Sequence, residues 1–213
     1  MKPVGPIDWN VTAESSEVEK MFQMTSMRTV IFTDGSCNPN KLCPEAVAGY
    51  AAVFVLGQFM DTVVYGNLDT KKNYASNQRA EGMAIYQALL YLKKHVGEWN
   101  SAVFVSDSDF WIKMIEVYMP SWEVSGSSFK DKKNSDLTIP LWEIYNCLTG
   151  EFAKEIEFRH VRSHNKSGWK NKKDDSYEKF CYDNNELADE FAKYARLSIK
   201  KGDVICERVK VVE

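Results

Sequence analysis

Two aspartates each close an apolar run that has the pattern of a core strand. Asp34 lies in the segment VIFTDGS and Asp107 lies in VFVSDS. Strand alternation places Val30, Phe32 and Asp34 on one face, and Asp107 follows two valines in the same way. Because ligands of α/β sheets gather at the carboxyl ends of strands, we expect the two carboxylates to converge there.

Two further carboxylates lie beside apolar positions of predicted helices. Glu81 stands one turn into a helical pattern, within SNQRAEGMA, and Asp189 borders the apolar face of the last helix, within NNELADEFA. Four carboxylates that met without compensation would repel one another. Clusters of oxygen ligands are the usual cage for Mg²⁺ or Mn²⁺. The sequence therefore predicts a divalent-metal site.

Each of the four acids also has a structural interpretation. Asp34, followed by Gly-Ser, could end its strand in a turn, and Asp107 with Ser108 could cap the next helix. Glu81 could face the positive end of the helix dipole, and Asp189 could be a solvated helix charge. The presence of all four acids in one predicted arrangement of strands and helices is harder to attribute to chance than the presence of any single acid.

The elements that must position these acids follow the order β-β-β-α-β-α-β-α. Strands are predicted at residues 28–33, 46–56, 58–68, 102–106 and 155–161, and helices at about 77–95, 110–118, 141–152 and 185–199. A short helix is also predicted near residues 13–24. Ser76 or Asn77 can cap the first core helix, and Asp183 with Glu186 resembles a capping box for the last. Gly57 joins the second and third strands as in an antiparallel meander. The pattern predicts a mixed sheet flanked by helices.

Composition limits the class of protein. The chain has 213 residues, of which 44% are hydrophobic, which suits one domain with a substantial core. We expect no membrane span, signal peptide or transit peptide, and hence an intracellular protein, cytoplasmic or nuclear. Five cysteines without a CxxC pair favour free thiols over disulfides or a zinc site.

Charge gives a mixed indication about nucleic acid. The net charge of −3 and the pI of about 5.7 argue weakly against phosphate binding. Lysines are nevertheless concentrated at Lys130, Lys132 and Lys133, and a second basic group lies within residues 159–173. Both groups could be phosphate contacts or ordinary solvated loops.

Five segments together resemble the signature segments of type 1 ribonuclease H. They are FTDGS, SNQRAE before an alanine-rich helix, VSDSDF, HVRSH and NNELADEFA, in the family's order over about residues 28–199. The resemblance implies an α/β fold with a mixed five-stranded sheet, its first three strands antiparallel, and helices on both faces. It also implies endonucleolytic cleavage of the RNA strand of RNA–DNA hybrids.

The resemblance assigns roles to five residues of the site. Asp34, Glu81, Asp107 and Asp189 match the metal-binding carboxylates of two-metal hydrolysis, with two Mg²⁺ ions, or Mn²⁺ as an alternative. Asp34 would bridge the ions, one activating water and the other stabilising the leaving 3′-oxygen, to give 5′-phosphate and 3′-hydroxyl ends. His164 matches the family's mobile histidine, which assists proton transfer or product release.

Substrate contacts are implied in the same way. Asn77 and Gln78 would touch the minor groove, where 2′-hydroxyls are read, and Glu81 would also accept a 2′-hydroxyl. Ser76 replaces the threonine of a pocket for a DNA-strand phosphate. Tyr74 stands where some members have an arginine.

The substrate handle of the family corresponds to SWEVSGSSFKDKK. Trp122 and the lysines Lys130, Lys132 and Lys133 are kept, whereas Glu123 and several serines dilute the charge. About fifteen residues are inserted after His164, and this basic, aromatic stretch could contact phosphates or be a disordered polar loop.

The resulting division of the chain has three parts. Residues 1–27 are a polar N-terminal extension, residues 28–200 are the catalytic domain with an inserted basic loop at 165–184, and residues 201–213 are a C-terminal tail. The expected partner is an RNA–DNA hybrid, and the protein is expected to act as a monomer without a membrane.

Several alternatives remain open. A transposase or integrase of the same broad fold also uses acidic metal sites, but would not be expected to show the NQRAE and HVRSH segments together. A DEDD exonuclease would need a glutamate at Ser36. A non-catalytic hybrid-binding module predicts loss of at least one carboxylate. A metal-independent ribonuclease that used His160 and His164 would survive chelation.

Overall fold

One mixed sheet forms the centre of the computed structural model, which describes residues 28–38, 47–69, 74–161 and 177–209. In these ranges the sheet has six strands in the order β5-β4-β1-β2-β3-β6. The strands are β1 (Arg28–Asn38), β2 (Val47–Leu56), β3 (Thr62–Asn67), β4 (Ser101–Ser106), β5 (Glu155–His160) and β6 (Val204–Arg208). The first three strands pair antiparallel, β4 and β5 run parallel to β1, and β6 is antiparallel to β3.

Helices cover both faces of the sheet. They are α1 (Asn77–Lys94), α2 (Asp109–Lys113), α3 (Met119–Val124), α4 (Ser135–Asn146) and α5 (Tyr177–Ser198). A wider π-helical stretch, Met114–Tyr118, joins α2 to α3, another, Cys147–Glu151, follows α4, and a short 3-10 turn lies at Phe129–Asp131. Over the described ranges, none of the helices has the length and apolarity needed to cross a membrane. The predicted fold class is confirmed.

Strand alternation divides the core into two halves. Ile31 and Phe104 point to one face and pack with Leu89 of α1. Phe32 points to the other face and packs with Phe191 of α5. A shift of register by one residue would move every side chain of a strand to the opposite face and disrupt the packing on both faces at once. Each large apolar side chain buried there contributes about 1.5–3 kcal/mol. The packing on both faces therefore fixes the position at which each strand ends.

Strand β1 continues past the end predicted at Thr33. Its parallel neighbour β4 stops at Ser106, which pairs with Thr33, but β2 goes on pairing with β1 as far as Asn38. Asp34 therefore lies within β1, at a point where β1 is still paired with β2 but no longer with β4. The alternative in which Asp34 ends the strand in a turn is wrong.

Helix α5 begins at Tyr177, earlier than predicted. Asp183 and Glu186 lie inside it and do not form a capping box. The early turns form because Phe180 is buried and packs edge-on against Phe32, with ring centroids 5.8 Å apart. The second part of the expected 165–184 loop is thus helical. The rest of that loop, and the short helix expected near residues 13–24, lie outside the described residues.

Strand β6 gives the sheet one strand more than the five predicted. It lies in the segment assigned to a C-terminal tail and pairs with β3 through Val64 and Cys206. The hydroxyl of Tyr65 also donates a hydrogen bond to Glu207 Oε1 at 2.8 Å. The strand escaped prediction because its side chains are mostly exposed at the sheet edge, so its apolar alternation is weak.

A single buried amide ties the end of α5 to the sheet. Asn67 Nδ2 lies 3.3 Å, 3.1 Å and 3.0 Å from the carbonyl oxygens of Ala195, Arg196 and Ile199. The carbonyl of Ala195 also accepts the backbone amide of Ile199. Carbonyls at the end of a helix lack partners within it, so for Arg196 and Ile199 this amide satisfies groups that would otherwise be costly to bury.

We predict that Asn67→Ala lowers the free energy of unfolding by about 1–3 kcal/mol, because it removes this donor. Asn67→Asp should lower it further, since a carboxylate would face the same carbonyl oxygens. Urea unfolding of both variants and the wild type measures the effect. A loss below about 0.5 kcal/mol for both would show that the amide is not needed.

Candidate active site

The end of the β1–β4 pairing brings two acids together. Thr33 and Ser106 form the last pair of the parallel β1–β4 ladder, and Asp34 and Asp107 follow them directly. Asp34 is buried, with 7% of its surface exposed, and its Oδ1 accepts a 2.6 Å hydrogen bond from the Gly35 amide. The convergence predicted from strand alternation is present.

Two glycines allow the helices that carry the other acids to approach the sheet. A Cβ at Gly35 would lie 2.4 Å from the backbone nitrogen of Glu81, so α1 rests directly on β1 beside Asp34. A Cβ at Gly49 would lie 2.2 Å from the carbonyl oxygen of Ala192, so α5 rests equally close on β2. These distances leave no space for a side chain. The two contacts set the positions of Glu81 and Asp189.

Hydrogen bonds fix both oxygens of Glu81. Asn77 Nδ2 donates to Oε1 at 2.7 Å, and Ser108 Oγ donates to Oε2 at 2.6 Å. Ser108 occupies the N-cap position of α2 but makes no side-chain capping bond. The capping interpretation of Ser108 is therefore wrong, and its hydroxyl orients Glu81 instead.

Asp189 lies on the face of α5 that borders the sheet. Its neighbours Ala188 and Ala192 are fully buried. Its Oδ2 forms an ion pair with Lys193, one turn further along the helix. Asp189 is thus partly neutralised within its own helix.

The pKa of Asp34 reflects the crowding of carboxylates in the site. Burial raises the pKa of its carboxyl well above the usual range, and the charges of Asp107, Asp189 and Glu81 raise it further, against a lowering effect of the Gly35 amide. Burial also raises the pKa of Glu81, with a smaller contribution from Asp107, while Ser108 and Asn77 act in the opposite direction. The fold thus holds negative charges where water cannot screen them fully.

This donor set fits a hard divalent cation. All four acids supply oxygen, Asp34 is buried among the other three charges, and positive charge placed there would reverse the rise in its pKa. In the described ranges, no group of three or more His, Cys, Asp and Glu side chains is already arranged to hold a metal ion.

The residues predicted to contact substrate lie on two neighbouring surfaces. Ser76 caps α1 by accepting the amide of Arg79 at 3.2 Å, as predicted, and Asn77 is engaged with Glu81. The carbonyl oxygen of Gln78 accepts the indole N–H of Trp111. These contacts place the start of α1 beside the acids, whereas the groove contacts themselves stay a prediction.

The handle lysines lie beyond α3. Lys130 and Lys133 are exposed, and Lys132 Nζ lies 5.0 Å from the ring centroid of Trp122. The tryptophan also packs edge-on against Phe129, with centroids 5.4 Å apart. The handle is therefore an ordered turn with basic side chains on its surface. His164 lies outside the described residues, so its role stays a prediction.

A histidine that the sequence considered only for the metal-independent alternative lies next to the site. His160 ends β5, is exposed, and its Nε2 lies 3.2 Å from the backbone oxygen of Asp107. A carbonyl oxygen only accepts, so this nitrogen carries the hydrogen. The sequence signal was its place at the end of the strand beside β4.

A mixed sheet of this strand order, with one acid within β1, one directly after β4 and two on the flanking helices, defines an RNase H-like protein. The RNase H family matches residues 26–196. The chain therefore belongs to the RNase H family. The predicted resemblance is confirmed, and the family match favours it over the transposase or integrase alternative.

Relatives named Ribonuclease H agree with this assignment. The chain is 29% identical over 139 residues to the protein named Ribonuclease H of Cupriavidus pinatubonensis, covering 64% of this chain and 83% of the relative. It is 30% identical over 139 residues to the Ribonuclease H of Cupriavidus necator, covering 63% and 82%.

Solved structures share the fold. LC9-RNase H1, described as a type 1 RNase H with the type 2 active-site motif, matches with a TM-score of 0.59 and 18% identity, covering 86% of this chain and 79% of that one. The foamy viral protease-reverse transcriptase in complex with dsDNA matches with a TM-score of 0.55 and 21% identity, covering 80% and 95%.

We predict that Gly35→Ala lowers cleavage of an RNA–DNA hybrid at least tenfold and destabilises the fold by about 1–3 kcal/mol, because its Cβ forces α1 and Glu81 away from β1. Gly97→Ala is the matched control, since nothing lies within 4 Å of its added Cβ. Equal activity of the two variants would contradict the role given to the close contact.

We predict that Asp34→Asn stabilises the metal-free protein at neutral pH. The unfolded carboxyl titrates near 3.8, whereas the folded pKa is raised, so the folded wild type binds the proton more tightly. Its stability should therefore fall as the pH rises from about 4 through the folded pKa, by about 1.4 kcal/mol for each tenfold difference in proton affinity.

The variant has no proton to lose at this position and should not show that fall. Thermal unfolding in EDTA between pH 4 and pH 8 measures the difference. Each kcal/mol corresponds to about 2–4 °C in a chain of this size. A variant less stable than the wild type at pH 7 would contradict the repulsion inferred at Asp34.

Proposed function

We propose that this ribonuclease H cuts the RNA strand of RNA–DNA hybrids internally, by hydrolysis that depends on two divalent cations, Mg²⁺ or alternatively Mn²⁺. The observation that carries the proposal is the burial of Asp34 among three other carboxylates beside the end of the β1–β4 pairing. A protein gains nothing in stability from such crowding, so a bound cation is its most direct explanation.

The chain's own residues would hold the reacting groups. Asp34, Glu81, Asp107 and Asp189 are the proposed cation ligands. When bound, the cations would supply activation of water and stabilisation of the leaving oxygen, giving 5′-phosphate and 3′-hydroxyl ends. Asn77 and Ser108 hold Glu81 in a fixed orientation, which lowers the cost of assembling the site.

His160 supports the same site from the neighbouring strand. Its contact with the backbone of Asp107 restrains the point where β4 ends. His164 is proposed to assist proton transfer or product release, on the resemblance alone.

Substrate recognition is proposed to use the start of α1 and the handle. Ser76, Asn77 and Gln78 would face the minor groove and a DNA phosphate, and the handle lysines would contact further phosphates. Two of the three lysines are exposed and none of the three appears in an ion pair among the described residues. Their charge is thus available to a phosphate backbone.

The proposed catalytic domain is residues 28–200, preceded by an extension at 1–27. Within the segment 201–213, β6 joins the sheet of this domain and therefore belongs to it. The protein is proposed to act as a monomer in an intracellular compartment. Among the described residues, Cys147, Cys181 and Cys206 form no disulfide, which suits a reducing environment.

We predict that the wild type, supplied with Mg²⁺, cleaves only the RNA strand of a labelled hybrid and that Asp107→Asn lowers the rate at least a hundredfold, because it removes a proposed ligand. EDTA should abolish cleavage. Denaturing gels of substrates labelled on either strand measure both effects.

Double-stranded RNA and double-stranded DNA of the same sequence are the controls. Equal cutting of double-stranded RNA would contradict the proposed specificity. Cleavage that persisted in EDTA would instead favour the metal-independent histidine alternative, and an unaffected Asp107→Asn variant would contradict the site.

A further inference from the structure

One guanidinium connects the start of α1 to the chain beyond the handle. Arg79 Nη1 donates to Asp136 Oδ1 at 2.9 Å, and Nη2 donates to Asp136 Oδ2 at 2.5 Å. Nη1 also lies 3.2 Å from Asn134 Oδ1. The Arg79 side chain is only 11% exposed. A two-pronged contact of this kind fixes direction as well as distance.

The partners of Arg79 stand at a particular place in the chain. Asn134 has a left-handed backbone, with φ of 61°, and turns the chain from the handle, residues 121–133, into α4. It stands at the N-cap position of α4, yet its side chain makes no capping bond. Its amide oxygen is directed at Arg79 instead.

On its own helix, Arg79 lies between the two functional groups of α1. Gln78 precedes it in the stretch proposed to face substrate, and Glu81 follows at the acidic site. The first turn of α1 contains no acidic residue. A cation at a helix N-terminus is unfavourable, so Arg79 is a poor choice for helix stability alone. Its distant partners give a reason for its presence.

We propose that Arg79 is a positioning residue that holds the handle at a fixed distance from the catalytic acids. The inference rests on the proposed function, because it takes the handle lysines as phosphate contacts. The handle is rigid within itself through the packing of Trp122 with Phe129 and Lys132. The contact of Arg79 with Asn134 and Asp136 ties that rigid unit to α1. The distance between a phosphate bound by the lysines and a phosphate bound at the acids is thereby fixed.

The test breaks the contact from each side. Arg79→Met and Asp136→Asn should each raise the KM for a hybrid, and its Kd measured by fluorescence anisotropy in an Asp107→Asn background, about three- to tenfold. The kcat should stay within about twofold, because the acids are untouched. The charge exchange Arg79→Asp with Asp136→Arg should recover part of the lost affinity.

Two controls separate this role from general stability. Glu98→Gln removes a half-exposed acid, paired with His95, just beyond the other end of α1, and should leave KM unchanged. In a variant with all three handle lysines changed to alanine, adding Arg79→Met should cause no further loss, because the two act through one interaction.

The outcomes distinguish the inference from the function it rests on. If the wild type fails to cut the hybrid, the proposed function fails. If the wild type cuts the hybrid but Arg79→Met lowers kcat instead of affinity, or weakens binding equally without the lysines, the positioning role is overturned alone. The positioning role is also overturned if the variant with all three handle lysines changed to alanine binds the hybrid as tightly as the wild type.

Discussion

The burial of Asp34 among other carboxylates is the constraint on which the rest of the structure depends. Burial and three neighbouring charges oppose ionisation of this group, and the nearby amide of Gly35 offsets only part of the cost. A flexible chain would relieve the strain by moving the acids apart. Here the sheet core and two closely packed helices oppose that movement.

The scaffold achieves this by packing on both faces of one sheet. α1 contacts β1 at Gly35 and α5 contacts β2 at Gly49, each without space for a side chain. Apolar clusters on the two faces hold these helices in place. The apolar packing on the two faces of the sheet therefore stabilises the fold, whereas the clustered acids of the site lower its stability. This division is common where function requires charge in a partly dry environment.

The sequence predicted the parts of the site that depend on periodicity. Alternation placed Asp34 and Asp107 on one face, and a local capping pattern identified Ser76. The sequence could not show that Ser108 bonds Glu81, because that partner lies 27 residues away along the chain. Nor did it reveal the early start of α5, which depends on Phe180 meeting Phe32, or β6, which depends on pairing with an edge already formed. Such features arise from tertiary contacts, which local patterns do not encode.

The most direct test of the central claim is the response of thermal unfolding to Mg²⁺. If the acids around Asp34 form a cation site, Mg²⁺ should raise the unfolding temperature of the wild type, since a ligand at a hundred times its Kd stabilises by about 2.7 kcal/mol. The Asp34→Asn variant should start higher in EDTA and gain little from the cation. A wild type that does not respond to Mg²⁺, or a variant that responds equally, would contradict the account.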